Sequence, residues 1–170
     1  MEKFLNIPVF KLLNTDTTDD DGTPTDLINT GADFIADGVQ VGDIVHNATD
    51  NTYHTVTSVA ATELGVTNGG VGDAKEYFIH SATISNNQLV SASGVLLVEQ
   101  ASTSTVTIAY DSPSTSADVI TLTHVPVSAG SEAVRDLVEA KINEAYTSSW
   151  TNVSHDLSTL PNRVIGISIG

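Results

Sequence analysis

The chain contains no cysteine and few basic residues, and each absence excludes functions. Without cysteine there is no disulfide framework, thiolate metal site or cysteine nucleophile. Only 6 Lys and Arg stand against 21 Asp and Glu, which gives a net charge of −15. Phosphate binding requires clustered basic side chains, and anionic membrane surfaces attract the same groups. We therefore expect neither nucleic acid nor a membrane among the partners.

Long hydrophobic runs are absent as well. No apolar segment approaches the roughly 20 residues of a membrane span, and the first residues lack the apolar core of a signal peptide. We expect the protein to be made and assembled in a cytoplasm. Its acidity is explained either by solubility and a repulsive outer surface or by a partner that carries basic patches.

The residues that are plentiful favour β-structure. Apolar residues make up 40% of the chain, as in folded domains, while only 16% of residues are charged. Ser and Thr supply about a quarter of the chain, and the branched Cβ of Thr packs well on a pleated surface. Apolar runs and alternating patterns predict strands at residues 3–10, 39–45, 52–59, 62–66, 75–84, 95–100, 103–110, 118–125, 152–157 and 163–169.

Two of these assignments carry particular expectations. The segment 95–100 opens with four consecutive apolar residues and predicts a buried strand. Pro8 lies in the first strand and cannot donate to a ladder, which favours an edge position or a bulge. The polar segment 14–25 predicts a solvated loop.

One amphipathic helix is predicted over residues 131–147. Ser131 suits the N-cap position, and Glu132 in the first turn suits the helix dipole. An apolar stripe about four turns long is formed by Val134, Leu137, Val138, Ile142, Ala145 and Tyr146. The fold class that follows is α+β and mostly β, with antiparallel sheet or sheets, one packed helix and a small β unit before it.

Three phrases and the opening of the chain carry a family resemblance. Residues 87–91 read Asn-Gln-Leu-Val-Ser, 96–103 read Leu-Leu-Val-Glu-Gln-Ala-Ser-Thr, and 105–110 read Thr-Val-Thr-Ile-Ala-Tyr. With the opening at 1–9, this combination resembles a group of small virion structural proteins of tailed bacteriophages, the head decoration or cement proteins. In that group such an opening leads almost directly into such a phrase.

The resemblance implies a division of the chain. Residues 1–9 plus 86–170 correspond to the shared core β domain with its one helix. Residues 10–85 form an inserted β-rich module that includes the acidic loop. Insertions at surface turns are well tolerated, because loop closure costs rise slowly with length.

The resemblance also implies a function. It points to a non-enzymatic capsid decoration protein that binds the major capsid protein lattice in the virion, as a homo-oligomer. A tail-tube, neck or fibre-base component is the first alternative. A carbohydrate-binding adhesion module is the second, and the nine aromatic residues offer it little material.

The acidic loop at residues 16–22 is the first candidate site. It carries four carboxylates, and Ca²⁺ prefers several oxygen ligands in a flexible loop. The EF-hand spacing fails, since Thr17 would occupy the first ligand position and Ile28 the last. A solvated loop is therefore favoured over a cation site.

The five histidines are spread along the chain, and we expect them to be polar residues on sheet faces. His46 and His54 are placed to meet across a predicted hairpin, with Asp50 at its turn. A metal site would need three converging ligands. If the two rings meet, protonation below about pH 6.5 would loosen that edge. The chain also lacks a Gly-x-Ser-x-Gly elbow and a phosphate-binding loop. We assign no catalytic residue, cofactor or metal ligand.

Three remaining features concern surfaces. Trp150 follows the helix and is expected to cap the core between helix and sheet. The terminal strands at 3–10 and 163–169 are apolar. Each is free to pair within its own domain or to add to a neighbouring subunit's sheet edge.

Overall fold

The computed structural model describes residues 2–19, 26–111, 118–159 and 162–170. The protein is mostly β, with a single large sheet and one helix among these residues. This confirms the predicted fold class. The strands and the helix are β1 Phe4–Thr17, β2 Asp26–Ile28, β3 Ile44–Asn47, β4 Thr52–Val59, β5 Glu63–Val66, β6 Glu76–Ser91, β7 Val95–Ser102, β8 Thr105–Tyr110, β9 Val119–His124, α1 Ala133–Thr147, β10 Ser154–Asp156 and β11 Val164–Ile169.

The chain divides into two compact units. Met1–Val9 and Ser85–Gly170 form one, called here the core unit, and Phe10–Ile84 form the other, called the inserted unit. The sequence boundaries, 1–9 plus 86–170 and 10–85, differ from these by one residue. Strands β1 and β6 each contribute residues to both units.

The core unit places its strands in the order β1-β11-β9-β8-β7, and β10 also pairs with β1. The pairs among β11, β9, β8 and β7 are antiparallel. Those of β1 with β10 and β11 are parallel, which the prediction of antiparallel pairing did not include. Both terminal strands therefore pair within their own unit.

Pro8 occupies an interior strand without breaking a ladder. On one side of β1, Asn6 is paired with Asp156 of β10, and the next pairing is Val9 with Val164 of β11. Pro8 falls between the two ladders, where its missing N–H costs no hydrogen bond. The expectation of an edge position was wrong, because the strand changes partner at this point.

Helix α1 packs on the core unit's sheet through four buried side chains. Val134, Val138, Ile142 and Ala145 belong to the same apolar cluster as the inward residues of β8 and β9. Burial of each of the larger aliphatic side chains contributes about 1.5–3 kcal/mol. The helix begins at Ala133, later than predicted: Glu132 holds the N-cap position and makes no side-chain cap.

The inserted unit has the strand order β2-β5-β4-β3-β6. The pairs of β2 with β5, β5 with β4, β4 with β3 and β3 with β6 are antiparallel, and β4 has the predicted bounds. Its apolar cluster is smaller and is formed by Leu27, Phe34, Val39, Val45, Val56, Leu64, Val71, Tyr77 and Ile79. Strand β3 is shorter than predicted, since the Asp43 N–H donates to the Gln40 carbonyl oxygen at 3.1 Å and closes a turn in which Gly42 has a φ of 98°.

Two further expectations were wrong. Strand β1 runs on to Thr17, so the predicted loop at 14–25 begins later, and its residues 20–25 lie outside the described residues. Strand β7 is not buried, because it is the last strand in the sheet order and only Val98 of its residues is buried.

Candidate functional site

The described carboxylates of the acidic loop bind the protein's own donors. Asp16 accepts from the Thr17 N–H at 2.8 Å and from Asn29 Nδ2 at 3.1 Å. Asp19 accepts from the Thr30 N–H at 2.6 Å. The hydrogen bond from Asn29, and then that from Thr17, hold the pKa of Asp16 below its usual range. Among the described residues, no three His, Cys, Asp or Glu converge as metal ligands would.

All five histidines lie in strands, as expected of residues on sheet faces, and all five are buried. Their exposed fractions lie between 0% and 6%. His46 does not meet His54 directly: the register places it opposite Tyr53, and its ring stacks on that tyrosine with centroids 4.4 Å apart. Since neighbouring positions point to opposite faces, His46 and His54 lie on opposite faces of the hairpin. Both rings are therefore shielded from solvent, each among the side chains of its own face.

Glu144, Ser148 and His155 make contacts that resemble those of a catalytic triad. Ser148 Oγ lies 3.2 Å from His155 Nε2, and His155 Nδ1 lies 3.2 Å from Glu144 Oε1. The same hydroxyl accepts from Lys3 Nζ at 2.5 Å, and Lys3 also donates to the Ser148 carbonyl oxygen at 2.8 Å. A cation on the terminal carbonyls stabilises a helix C-terminus.

The accessibility of this network decides its role. The histidine of a catalytic triad takes the proton of the nucleophile and passes it to the leaving group of a bound substrate, yet the side chain of His155 is fully buried. Hydrogen bonds from Lys141 and then from His155 lower the pKa of the exposed Glu144 carboxyl. We interpret the network as the cap of α1, which joins the helix to β10.

An apolar surface is formed where β7 meets α1. Leu96 and Leu97 of β7 are 67% and 56% exposed, and Tyr146 of α1 is 61% exposed. They line an open groove of about 270 Å³ together with Val95, Val98, Glu139, Ile142 and Asn143. We call this surface the β7–α1 edge. The sequence had assigned both leucines and Tyr146 to the interior.

The geometry of β7 determines how this edge can be used. Strand β7 pairs with β8, and the register shifts between Val95 and Leu97 and again between Gln100 and Ser102. Bulges of this kind blunt an edge strand against ladder extension. Contacts to the β7–α1 edge therefore come from its side chains more than from main-chain pairing.

Trp150 does not cap the core. Its side chain is 72% exposed just after the end of α1. The serines and threonines around it make local hydrogen bonds, such as Ser149 Oγ with Thr151 Oγ1 at 2.9 Å. A large indole in this position is available for contact with another molecule.

No family model, curated protein or solved structure matches the chain. Among the described residues, no helix is long and apolar enough to cross a membrane.

Proposed function

We propose that the protein is a non-enzymatic structural protein of a tailed-phage virion, a decoration protein that docks on the capsid through the β7–α1 edge. The exposed apolar edge is the observation that carries the proposal. Strands β7 and β8 and the end of β6 contain the phrases at 87–91, 96–103 and 105–110 that resemble the decoration proteins. The β7 part of the apolar edge, with Leu96 and Leu97, thus belongs to the segment that carries the resemblance.

The chemistry of the edge favours a partner with apolar and basic groups. Leu96, Leu97 and Tyr146 offer apolar contact area, and Glu139 contributes a carboxylate to the same groove. With a net charge of −15, copies of the chain repel one another and are attracted to a basic surface. We therefore take the major capsid protein as the partner. Many modest contacts across a repeated lattice add up through multivalency.

The experiment is rebinding to phage heads that lack the protein, followed by sedimentation and imaging. The test variant is Leu96→Glu and the control is Val41→Glu, because both side chains are 67% exposed and the charge change is the same. Val41 belongs to the inserted unit. We expect saturable binding at regular lattice positions, weakened about tenfold or more by Leu96→Glu and unchanged by Val41→Glu.

Other outcomes assign the protein elsewhere. Absence of binding to heads, with assembly into tubes or attachment to tails, would make it a tail-tube, neck or fibre-base component. Loss of binding in Val41→Glu alone would move the docking surface to the inserted unit.

The exposure of Trp150 supports a second candidate, a carbohydrate-binding adhesion module. Exposed aromatic rings stack on apolar ligand faces, and Tyr146 precedes Trp150 by four positions at the end of α1. A glycan array probed with the protein and with Trp150→Ala tests it. Binding that Trp150→Ala abolishes would favour adhesion, and an array without signal would leave capsid docking as the function.

A further inference from the structure

The surroundings of His124 fix it as a neutral imidazole. This residue ends β9 and is fully buried. Its Nδ1 lies 2.8 Å from the carbonyl oxygen of Val125, and its Nε2 lies 2.9 Å from Gln100 Nε2. A carbonyl oxygen only accepts, so Nδ1 carries the hydrogen. An amide nitrogen only donates, so Nε2 of His124 must be the bare acceptor.

The orientation of the Gln100 amide is fixed as well. The two hydrogens on its Nε2 face three acceptors: the Ser102 carbonyl oxygen at 2.7 Å, His124 Nε2 at 2.9 Å and the Thr105 carbonyl oxygen at 3.2 Å, so the longest contact shares a hydrogen with another. Its Oε1 accepts from the backbone N–H of Arg135 at 3.4 Å. A flipped amide would place its oxygen against two carbonyl oxygens and remove both donors. Gln100 therefore cannot turn to accept a hydrogen from a protonated His124.

This amide connects the two elements of the β7–α1 edge. Gln100 belongs to β7, its carbonyl partners flank the turn into β8, and Arg135 lies in the first turn of α1. The backbone N–H of His124 donates to the Ser104 carbonyl oxygen at 2.8 Å, so β9 is hydrogen-bonded to the same turn. A cavity of about 160 Å³ lined by Gln100, Ser102, Glu132 and neighbouring residues adjoins the amide.

We propose that the Gln100–His124 contact is an acid-sensitive latch on the β7–α1 edge. As the pH falls below about 6.5, the ordinary range of an imidazole, proton uptake at His124 Nε2 favours the state in which this contact is released. The new N–H then points at the amide hydrogens of Gln100, and the contact changes from a hydrogen bond into a repulsion between two donors. Release of Gln100 frees the β7–β8 turn and the start of α1. The latch is a property of the fold, and its effect on capsid docking rests on the proposed function.

In the part of the chain that the structure describes, the hydrogen bonds of the His124 ring go to Gln100 and Val125, and Glu132 in the cavity beside Gln100 pairs with Arg135. Strands β8 and β11, which pair with β9, contain no charged residue. Glu99 precedes Gln100 on β7 and, by strand alternation, points to the opposite face. The Arg135 guanidinium is bound to Asp136 at 2.6 Å, and the Arg163 carbonyl oxygen accepts from the Val125 N–H at 2.9 Å.

Burial lowers the pKa of His124, against the opposing hydrogen bond to Val125. A lowered folded-state pKa means that the unfolded chain binds the proton more readily. The stability that neutral His124 contributes is present above about pH 6.5 and is lost as the pH falls below it.

His155 provides an internal control. Its nitrogens face the Glu144 carboxylate and the Ser148 hydroxyl, and both groups can accept a hydrogen. His155 therefore lacks the contact with a donor-only amide nitrogen that His124 makes. His155→Gln is the matched control for His124→Gln, since both changes replace a buried ring by a neutral amide.

The test combines nitrogen NMR of the histidine rings with hydrogen exchange of the full chain between about pH 7.5 and pH 5.5. We expect His124 as the Nδ1–H tautomer at the higher pH. Below about pH 6.5, opening of residues 100–105 and 133–136 should increase up to about tenfold per pH unit, because one proton is taken up. The increase should be absent in His124→Gln and retained in His155→Gln. An Nε2–H tautomer, or an unchanged increase in His124→Gln, would overturn the latch.

Rebinding to heads at both pH values separates the two proposals. If residues 100–105 and 133–136 open at low pH but the protein binds heads at neither pH, the latch is retained and the capsid function is rejected. Head binding without acid opening would reject the latch alone. The tautomer is read in the native protein, so a folding defect of His124→Gln does not decide the result.

Discussion

The two units of this protein are both β-structures, yet they fill their interiors in different ways. Among the described residues, the core unit gathers 16 buried apolar side chains into one cluster, and the inserted unit gathers 9. The inserted unit carries 12 acids against 2 basic residues, a net charge of −10, and the core unit carries 9 against 4, a net charge of −5. The acidity of the chain thus resides mainly in the inserted unit.

The inserted unit compensates for its smaller apolar cluster with a buried polar network. Tyr77 Oη donates to Asn14 Oδ1 at 2.9 Å and accepts from Asn29 Nδ2 at 2.8 Å. Asn14 in turn donates to Asp37 at 2.6 Å. The core unit has the larger apolar cluster and also leaves Leu96 and Leu97 exposed on β7. The difference lies in how the interiors are filled, since the inserted unit also exposes apolar side chains, such as Ile35 and Val41.

The largest expected effect comes from removing one buried leucine in each unit. Leu122 of the core unit and Leu64 of the inserted unit are both 0% exposed. Replacement of either by alanine should lower the free energy of unfolding by about 2–5 kcal/mol, through lost transfer energy and a residual cavity. Chemical denaturation measures the loss, and hydrogen exchange locates it.

Hydrogen exchange also tests whether the two units are separate in energy. Leu122→Ala should accelerate exchange mainly in the core unit, and Leu64→Ala mainly in the inserted unit. Equal acceleration across both units in each variant would contradict the division and indicate one cooperative structure.

A smaller effect is expected from the hydroxyls of Tyr77, which is buried, and of Tyr110, which is partly buried. Burial raises the pKa of Tyr77 and of Tyr110 to about 12. Tyr77→Phe deprives Asn14 and Asn29 of a shared partner and should cost about 1–3 kcal/mol. Tyr110 donates to the Ser91 carbonyl oxygen at 2.6 Å, so Tyr110→Phe should cost less, about 0.5–1.5 kcal/mol.

The two tyrosine variants compare the polar network of the inserted unit with a single hydrogen bond in the core unit. Urea denaturation of both, with the unchanged protein as reference, gives the two free energies. A loss from Tyr77→Phe that does not exceed that from Tyr110→Phe would mean that the polar network contributes no more than a single hydrogen bond.

Sequence periodicity predicted the regular parts of this fold well. The alternation in β4 gave its bounds, and the stripe of α1 contains the four side chains that are buried. Local patterns could not reveal which strand ends the sheet, so the apolar run of β7 was assigned to the interior although it lies at the edge. Strand β2 has three residues and was missed, because its pairing with β5 is long-range.

The functional features were harder to predict for a related reason. Burial of a histidine depends on side chains brought together by topology, such as Gln100 beside His124. The identity of a single residue in the sequence does not indicate which distant residue it will contact. Trp150 was assigned to the core from its hydrophobicity alone, and its exposure depends on how the chain leaves α1.

The smallest expected effect concerns pH and sharpens the comparison within the inserted unit. His46 Nε2 lies 3.2 Å from Asn51 Oδ1, which accepts, so the hydrogen is on Nε2. Its Nδ1 is buried and has no hydrogen-bond partner among the described residues. Protonation would place a charged N–H at that atom without an acceptor, which is costly in a buried position.

Burial lowers the pKa of His46, the hydrogen bond to Asn51 opposes this, and nearby His54 lowers it further. The folded state therefore binds this proton less readily than the unfolded chain, and stability is lost as the pH falls below about 6.5. Melting curves of the protein and of His46→Gln between about pH 7.5 and pH 5.5 measure the effect. The variant should show the flatter dependence, with hydrogen exchange assigning the difference to the inserted unit. Parallel curves would mean that the buried Nδ1 of His46 does not contribute to acid sensitivity, which would then belong to the core unit and its Gln100–His124 contact.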